Sequence, residues 1–135
     1  MLKVHHIGYL VEDINVAIDE FVQLGYKNQS ELFLGSDRQV NVIFMEKDGY
    51  VIELVSPTGE NSPIYGLKKK YKNSPYHICY CTDNLDLEIE KLGTRYTLIS
   101  PPQTAPGIAG SPRVAFLYSL KIGMIELVEA MASDG

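Results

Sequence analysis

The chain has 135 residues, 45% of them apolar and 21% charged, the size and mix of one folded domain that needs no disulfide or metal staple to bury a core. Twelve basic residues stand against 17 acidic ones, a net charge of −5, and without a basic stripe a nucleic-acid partner is not expected. No apolar run is long enough to cross a bilayer, and Met1 to Leu10 leads straight into a strand pattern rather than a secretion signal, so a cytoplasmic protein is expected.

The first strand reads Lys3 to Val11. Asp13 or Asn15 can cap the helix that follows, whose Ile14, Ala17, Ile18, Phe21 and Leu24 recur at three and four to make one apolar stripe, and Gly25 ends it. Strands are expected at Lys27 to Leu34, Asn41 to Met45 and Tyr50 to Val55, with turns at Asp37-Arg38 and Lys47-Asp48-Gly49. The Asp-Gly pair is a hairpin signal. A connector then runs to Pro75 and carries a short amphipathic helix, Ile64 to Tyr71, started by Ser62-Pro63. Its lysine run, Lys68-Lys69-Lys70 with Lys72, reads as a solvated helix face that an anionic substrate could also meet.

The pattern then restarts. Tyr76 to Thr82 is a strand. A helix follows from Asn84 to Leu92 with Leu85, Ile89 and Leu92 on one face, ended by Gly93. Arg95 to Ser100 reads as a strand, Pro101 to Pro112 as a loop, and Arg113 to Tyr118 and Gly123 to Val128 as the closing strands. The tail from Met131 is expected to fray. Cys79 and Cys81 share one strand face about 6.6 Å apart, too poorly placed for an easy bridge. They read as reduced, buried thiols.

The two halves superimpose as sequence. His6-Ile7 and Tyr9 match His77-Ile78 and Tyr80; Leu24-Gly25 matches Leu92-Gly93; Val42 to Met45 matches Val114 to Leu117; and Ile52-Glu53-Leu54-Val55 repeats letter for letter at Ile125-Glu126-Leu127-Val128. His6 precedes Glu53 by 47 residues and His77 precedes Glu126 by 49. The chain is therefore read as one α+β domain, residues 1–135, of two tandem βαβββ modules forming a cupped mixed sheet around a central cleft: module one about 3–56, a connector about 57–75 and module two about 76–130.

Four polar residues lie inside apolar strands. Glu53 shares a face with Val51 and Val55, and Glu126 with Met124 and Val128. A lone strand glutamate is often an edge gatekeeper and a lone histidine a core residue, but matched placement in both repeats favours a joint role. Buried carboxylates are costly unless paired or bound to metal, and two facing each other would repel. Two neutral imidazoles and two carboxylates balance one M²⁺ in formal charge. His6, Glu53, His77 and Glu126 are therefore the expected metal ligands. The mixed N/O set suits Zn, Ni, Co, Mn or Fe(II) better than Mg or Ca. Positions left open on the ion would take substrate oxygens, and Lewis acidity there suits removal of a proton next to a carbonyl. Glu53 and Glu126 are the expected bases, and the sequence does not rank them. His5 points away from His6 and reads as structural or exposed.

On these residues the chain resembles the vicinal-oxygen-chelate superfamily, the glyoxalase/bleomycin-resistance/dioxygenase fold, along essentially its whole length. The resemblance implies paired βαβββ modules with metal ligands at the first and last strand of each. Asn61 to Ile64, Tyr76 to Tyr80, Asp83-Asn84, Val114 to Leu117 and Met124 to Leu127 are most similar to the methylmalonyl-CoA epimerases. The epimerase pattern is broken at Tyr76, where those enzymes carry histidine, and at Asn41, where some place a glutamate. It is also broken at Tyr118 to Gly123, where a His-Pro-Lys-Asp type turn is replaced. What the resemblance implies is a metal-dependent isomerase or epimerase acting on a small molecule, an acyl-CoA or a thiol adduct, in a chain that can form a homodimer. Glyoxalase I (lactoylglutathione lyase), with the same ligand order, is the alternative enzyme. A ligand-sequestering module with an aromatic cleft is the non-enzymatic one. A ring-cleaving dioxygenase, with two histidines and one glutamate on iron, fits least.

Overall fold

A computed structural model describes residues 2–35, 39–60, 62 and 64–130. The expected turn at Asp37-Arg38, Pro63 of the helix start, Asn61 and the tail from Met131 lie outside these residues. Two compact units divide the chain after His5 and after Tyr76. One takes residues 6–76, and the other joins the first residues to those from His77 onward.

In the first unit, β1 (Lys3–Leu10) is followed by α1 (Ile14–Gln23), β2 (Lys27–Asn28), β3 (Phe33–Gly35), β4 (Val40–Lys47), β5 (Tyr50–Pro57) and α2 (Tyr65–Tyr71). The strand order is β2-β4-β5-β1, with β3 also on β4. β1 runs parallel to β5, and β4 is antiparallel to its neighbours β2, β3 and β5. A parallel neighbour needs a crossover, and α1 begins it. Asp13, not Asn15, caps that helix: its carboxylate accepts the N–H groups of Asn15 at 3.0 Å and Val16 at 3.2 Å. Leu24 lies beyond the last turn and is 64% exposed, so the apolar stripe ends at Phe21.

The expected strand Lys27 to Leu34 is split in two. The N–H groups of Gln29 and Ser30 both donate to the Phe44 carbonyl, and the Ser30 hydroxyl accepts the Phe44 N–H at 3.0 Å. A side chain takes a ladder position there, and the backbone detours around it. The Asp48-Gly49 turn forms as expected. Lys47 pairs with Tyr50 across it, with φ of 55° at Asp48 and 85° at Gly49, the left-handed pair of a type I′ hairpin.

The second unit repeats the scheme with β6 (Ser74–Thr82), α3 (Leu85–Leu92), β7 (Thr97–Thr104), β8 (Arg113–Ser119) and β9 (Gly123–Glu129). Its order is β6-β9-β8-β7, with β6 parallel to β9. Here one expectation fails. Residues 101–104 are not loop but the second half of β7. Pro101 and Pro102 sit in a register irregularity between Ser100 and Gln103, on a strand at the end of the order. An irregular edge strand tolerates missing donors.

Each unit has its own core on the helix side of its sheet. Ile14, Ile43, Met45, Ile52 and Leu54 pack with α1 residues Ala17, Ile18 and Phe21 in one. Leu85, Ala115, Leu117, Ile125 and Leu127 pack with Ile89, Leu92 and Leu2 in the other. Fully buried side chains such as Leu54 and Leu127 contribute about 1.5–3 kcal/mol each.

Candidate metal centre

Strand alternation decides where Glu53 points. Ile52 and Leu54 belong to the helix-side core, so Glu53 between them faces the opposite side of the sheet. In the ladders its Cα partners are Gly8 on β1 and Phe44 on β4. His6, two residues before Gly8, shares that face, and its Nε2 lies 3.2 Å from Glu53 Oε1, with side-chain exposures of 0% and 11%. The Phe44 ring meets the His6 imidazole edge-on, at 5.1 Å between centroids and 82° between planes.

The second unit builds the same group from the same register positions. Glu126, between core residues Ile125 and Leu127, has Cys79 and Phe116 as its Cα partners. His77 Nε2 lies 3.0 Å from Glu126 Oε1, with exposures of 0% and 4%. The Phe116 ring stands at 90° to the His77 ring, 5.3 Å away. Sequence reasoning misses Phe44 and Phe116 as parts of the site. Their signal is the alignment of Val42 to Met45 with Val114 to Leu117, which places a phenylalanine at the same step of each repeat.

The donor set fits a divalent ion. In each unit one imidazole nitrogen and one carboxylate oxygen face each other out of water at 3.0–3.2 Å. With ligand bonds of about 2.1 Å, two donors at right angles on one ion stand about 3.0 Å apart. A single hydrogen bond spans the same distance. Imidazole nitrogen and carboxylate oxygen paired in this way are the donor types a divalent transition-metal ion takes.

Cys79 and Cys81 lie on the His77 face of β6, both buried and neither in a disulfide, as expected. Burial pushes the Cys81 thiol up, against the opposing effect of Lys3, so it is not a poised nucleophile. Asn41 stands where some epimerases place a glutamate. It shares its face of β4 with Ile43 and Met45, the helix-side core residues, so no side chain at position 41 would stand beside Glu53. The β4 residues on the Glu53 face are Val42, Phe44 and Glu46, and Glu46 accepts the Gly49 N–H at the hairpin. His5 is partly buried and alternates away from His6 along β1.

The sequence pattern of the Glyoxalase/Bleomycin resistance protein/Dioxygenase superfamily matches residues 5–116, and the chain belongs to that superfamily. Within it the chain is similar to an ethylmalonyl-CoA/methylmalonyl-CoA epimerase of Cereibacter sphaeroides, 32% identical over 86% of this chain and 87% of that protein. It is also similar to the mitochondrial methylmalonyl-CoA epimerase of Bos taurus, 28% identical over 95% and 74%. The fold is shared with a methylmalonyl-CoA epimerase from Mycobacterium tuberculosis. That likeness has a TM-score of 0.80 and 21% identity over 96% of this chain and 89% of that one.

Proposed function

We propose that the chain is a divalent-metal-dependent epimerase of acyl-CoA thioesters, and that His6, Glu53, His77 and Glu126 together hold one ion. The observation that carries this reading is the duplication: the same buried His–Glu pair, braced by the same phenylalanine, at the same register in both modules. The relatives at 28–32% identity are named as epimerases of short malonyl-type thioesters, which supports a substrate with an acidic C–H between two carbonyl groups.

A divalent ion supplies Lewis acidity, so negative charge on a carbonyl oxygen is stabilised and the α-proton becomes acidic. The protein's own groups do the rest. Phe44 and Phe116 fix the imidazole planes. Burial of the four side chains keeps water from competing for charge. Glu53 and Glu126 are the buried carboxylates on these two faces, and they would take a proton from the α-carbon and return one to its other side. Val42 and Phe44, the nearer β4 residues on the Glu53 face, have no proton to move.

The test is α-hydrogen exchange. In deuterated water the metal-loaded protein should label the α-carbon of methylmalonyl-CoA or ethylmalonyl-CoA, and the exchange should disappear in Glu53→Gln or Glu126→Gln. Elemental analysis should give one transition-metal ion per chain. Absence of exchange on either thioester with metal bound would overturn the reading. A hemithioacetal substrate is the control that separates it from lyase chemistry.

A further inference from the structure

The two modules place a serine beside the same phenylalanine and use it differently. Beside Phe44, the Ser30 hydroxyl accepts the Phe44 N–H at 3.0 Å and donates to the Glu31 carbonyl at 3.0 Å, so both of its roles are taken. Ser100 is its counterpart in the second module, the Cα partner of Phe116 across the β7–β8 ladder. The Ser100 Oγ is buried and has no hydrogen-bond partner among the described residues. Buried hydroxyls in folded proteins are nearly always satisfied, and one left without an acceptor is costly. An acceptor oxygen brought by a ligand removes that cost.

The backbone of β7 is shaped to aim this hydroxyl. Leu98 pairs with Leu117 and Ser100 with Phe116, so two steps on β7 match one on β8. On the other side, three steps from Ser100 to Gln103 match two from Phe116 to Val114. A regular ladder continued from Leu98 would set Ile99 opposite Phe116 and Ser100 opposite Ala115, a helix-side core residue. The extra residue turns Ser100 instead onto the face of Phe116, which is the face of Glu126, and leaves Ile99 50% exposed. Bulges next to active sites re-aim side chains in this way.

We infer that Ser100 donates a hydrogen bond to the free carboxylate of the acyl substrate, with Glu126 as the base on the same face. This rests on the epimerase reading above. Ser100 and Glu126 are two strands apart, about 10 Å between backbones. A base oxygen in attack position lies about 3–3.5 Å from the α-carbon. An oxygen on the neighbouring carbon is about 2.4 Å further on, and a hydroxyl bond to it takes about 2.7 Å. Together these span about 8–9 Å, and the two side chains lean across the rest. The carboxylate is the better acceptor. The charge that develops on the thioester oxygen falls to Lewis acidity at the centre, whereas the carboxylate is charged throughout and accepts a stronger bond than a neutral carbonyl does. Ser30 is engaged by the backbone, so the acyl group takes one orientation, carboxylate toward β7.

Calorimetric titration of the metal-loaded full chain with methylmalonyl-CoA and with propionyl-CoA, which lacks the carboxylate, tests this. Ser100→Ala should bind methylmalonyl-CoA about tenfold more weakly than the parent and propionyl-CoA equally well. In deuterium exchange it should raise KM for methylmalonyl-CoA by a similar factor and leave kcat little changed, because the charge it binds is present before the reaction starts. Its Tm should match or exceed that of the parent. Ser30→Ala, which breaks a backbone contact, should melt lower and keep the parental affinity for both thioesters. Parental affinity of Ser100→Ala for methylmalonyl-CoA would overturn the inference and assign the hydroxyl to solvent. So would an equal loss on both thioesters, which would place the bond at the part they share, or a fall in kcat at constant KM, which would place it at the enolate oxygen. The two readings fail separately. A Ser100-dependent preference for the carboxylate without α-hydrogen exchange removes the epimerase and keeps this contact, whereas exchange that is indifferent to Ser100 does the reverse.

Discussion

Phe44 stands directly across the β4–β5 ladder from Glu53, and its ring is turned edge-on to the His6 imidazole 5.1 Å away. One side chain thus borders both members of the pair. Phe116 repeats this toward Glu126 and His77. An edge-to-face contact favours one ring plane over its neighbours, which keeps the imidazole Nε2 directed toward the carboxylate oxygen.

It follows that Phe44→Leu should weaken metal binding more than it weakens the fold. Leucine keeps most of the buried volume and loses the ring contact. Outer groups that orient a metal ligand are worth about 10–100-fold in affinity, and the lower end is expected here. Competition titration with a chromogenic chelator reads the affinity, and thermal unfolding of the metal-free protein reads the fold. A variant with parental metal affinity would mean that Phe44 only fills space.

Removing one carboxylate should act in opposite directions on the metal-free and metal-loaded protein. Glu126 is 3% exposed and faces His77 Nε2 at 3.0 Å, so its carboxylate gives up water for that contact. Glu126→Gln keeps the shape and deletes that charge. The metal-free variant should melt at or above the parent, while the gain on adding metal, about 2.7 kcal/mol at a hundredfold excess over Kd, should vanish. If the variant lost stability without metal and kept the gain with it, Glu126 would be a structural acid instead.

Much of this is readable from the chain because the same physics acts twice. Period-two alternation puts Glu53 and Glu126 opposite the core residues on either side of them, and the repeat of Ile-Glu-Leu-Val gives the two acids equivalent positions. What escapes the sequence depends on partners far along the chain. Pro101 and Pro102 read as loop because a proline denies a strand its ladder bond. Only the position of β7 at the end of the strand order makes that harmless. Lys27 to Leu34 reads as one strand because nothing local announces that the Ser30 hydroxyl will take the Phe44 N–H.

The N-terminus of α3 is held by an ionic clasp whose pH response can be given a sign. Glu129 accepts the Leu85 N–H at 2.9 Å and the Arg113 guanidinium at 3.0 Å, and Arg113 also reaches Asp86 at 3.0 Å. The Arg113 bond first, and the Leu85 N–H second, hold the Glu129 carboxyl below the usual carboxylate range. A depressed acid contributes stability above its unfolded pKa and loses it as pH falls through the folded value. The clasp should therefore be intact above about pH 5 and fade below about pH 4. Arg113 and Glu129 are 39% and 31% exposed and Asp86 70%, so solvent screening keeps the effect small. Glu129→Gln should flatten the acid limb of the stability–pH curve and leave the neutral region slightly lowered; an unchanged acid limb would place the acid sensitivity elsewhere.

Gly49 offers a test of the β4–β5 hairpin that carries Glu53 and Phe44. Its φ is 85°, and an added Cβ would meet nothing within 4 Å, so Gly49→Ala isolates the conformational cost from any clash. A left-handed alanine is disfavoured by about 1–2 kcal/mol, and the type I′ turn needs that conformation here. Chemical denaturation should show a loss of that size with an unchanged m-value. Metal affinity should stay at the parental level, because Glu53 lies four residues from the turn on a strand bonded on both sides. A fall in metal affinity that tracks the stability loss would mean that register in this hairpin, rather than the fixed ladder, decides where the carboxylate points.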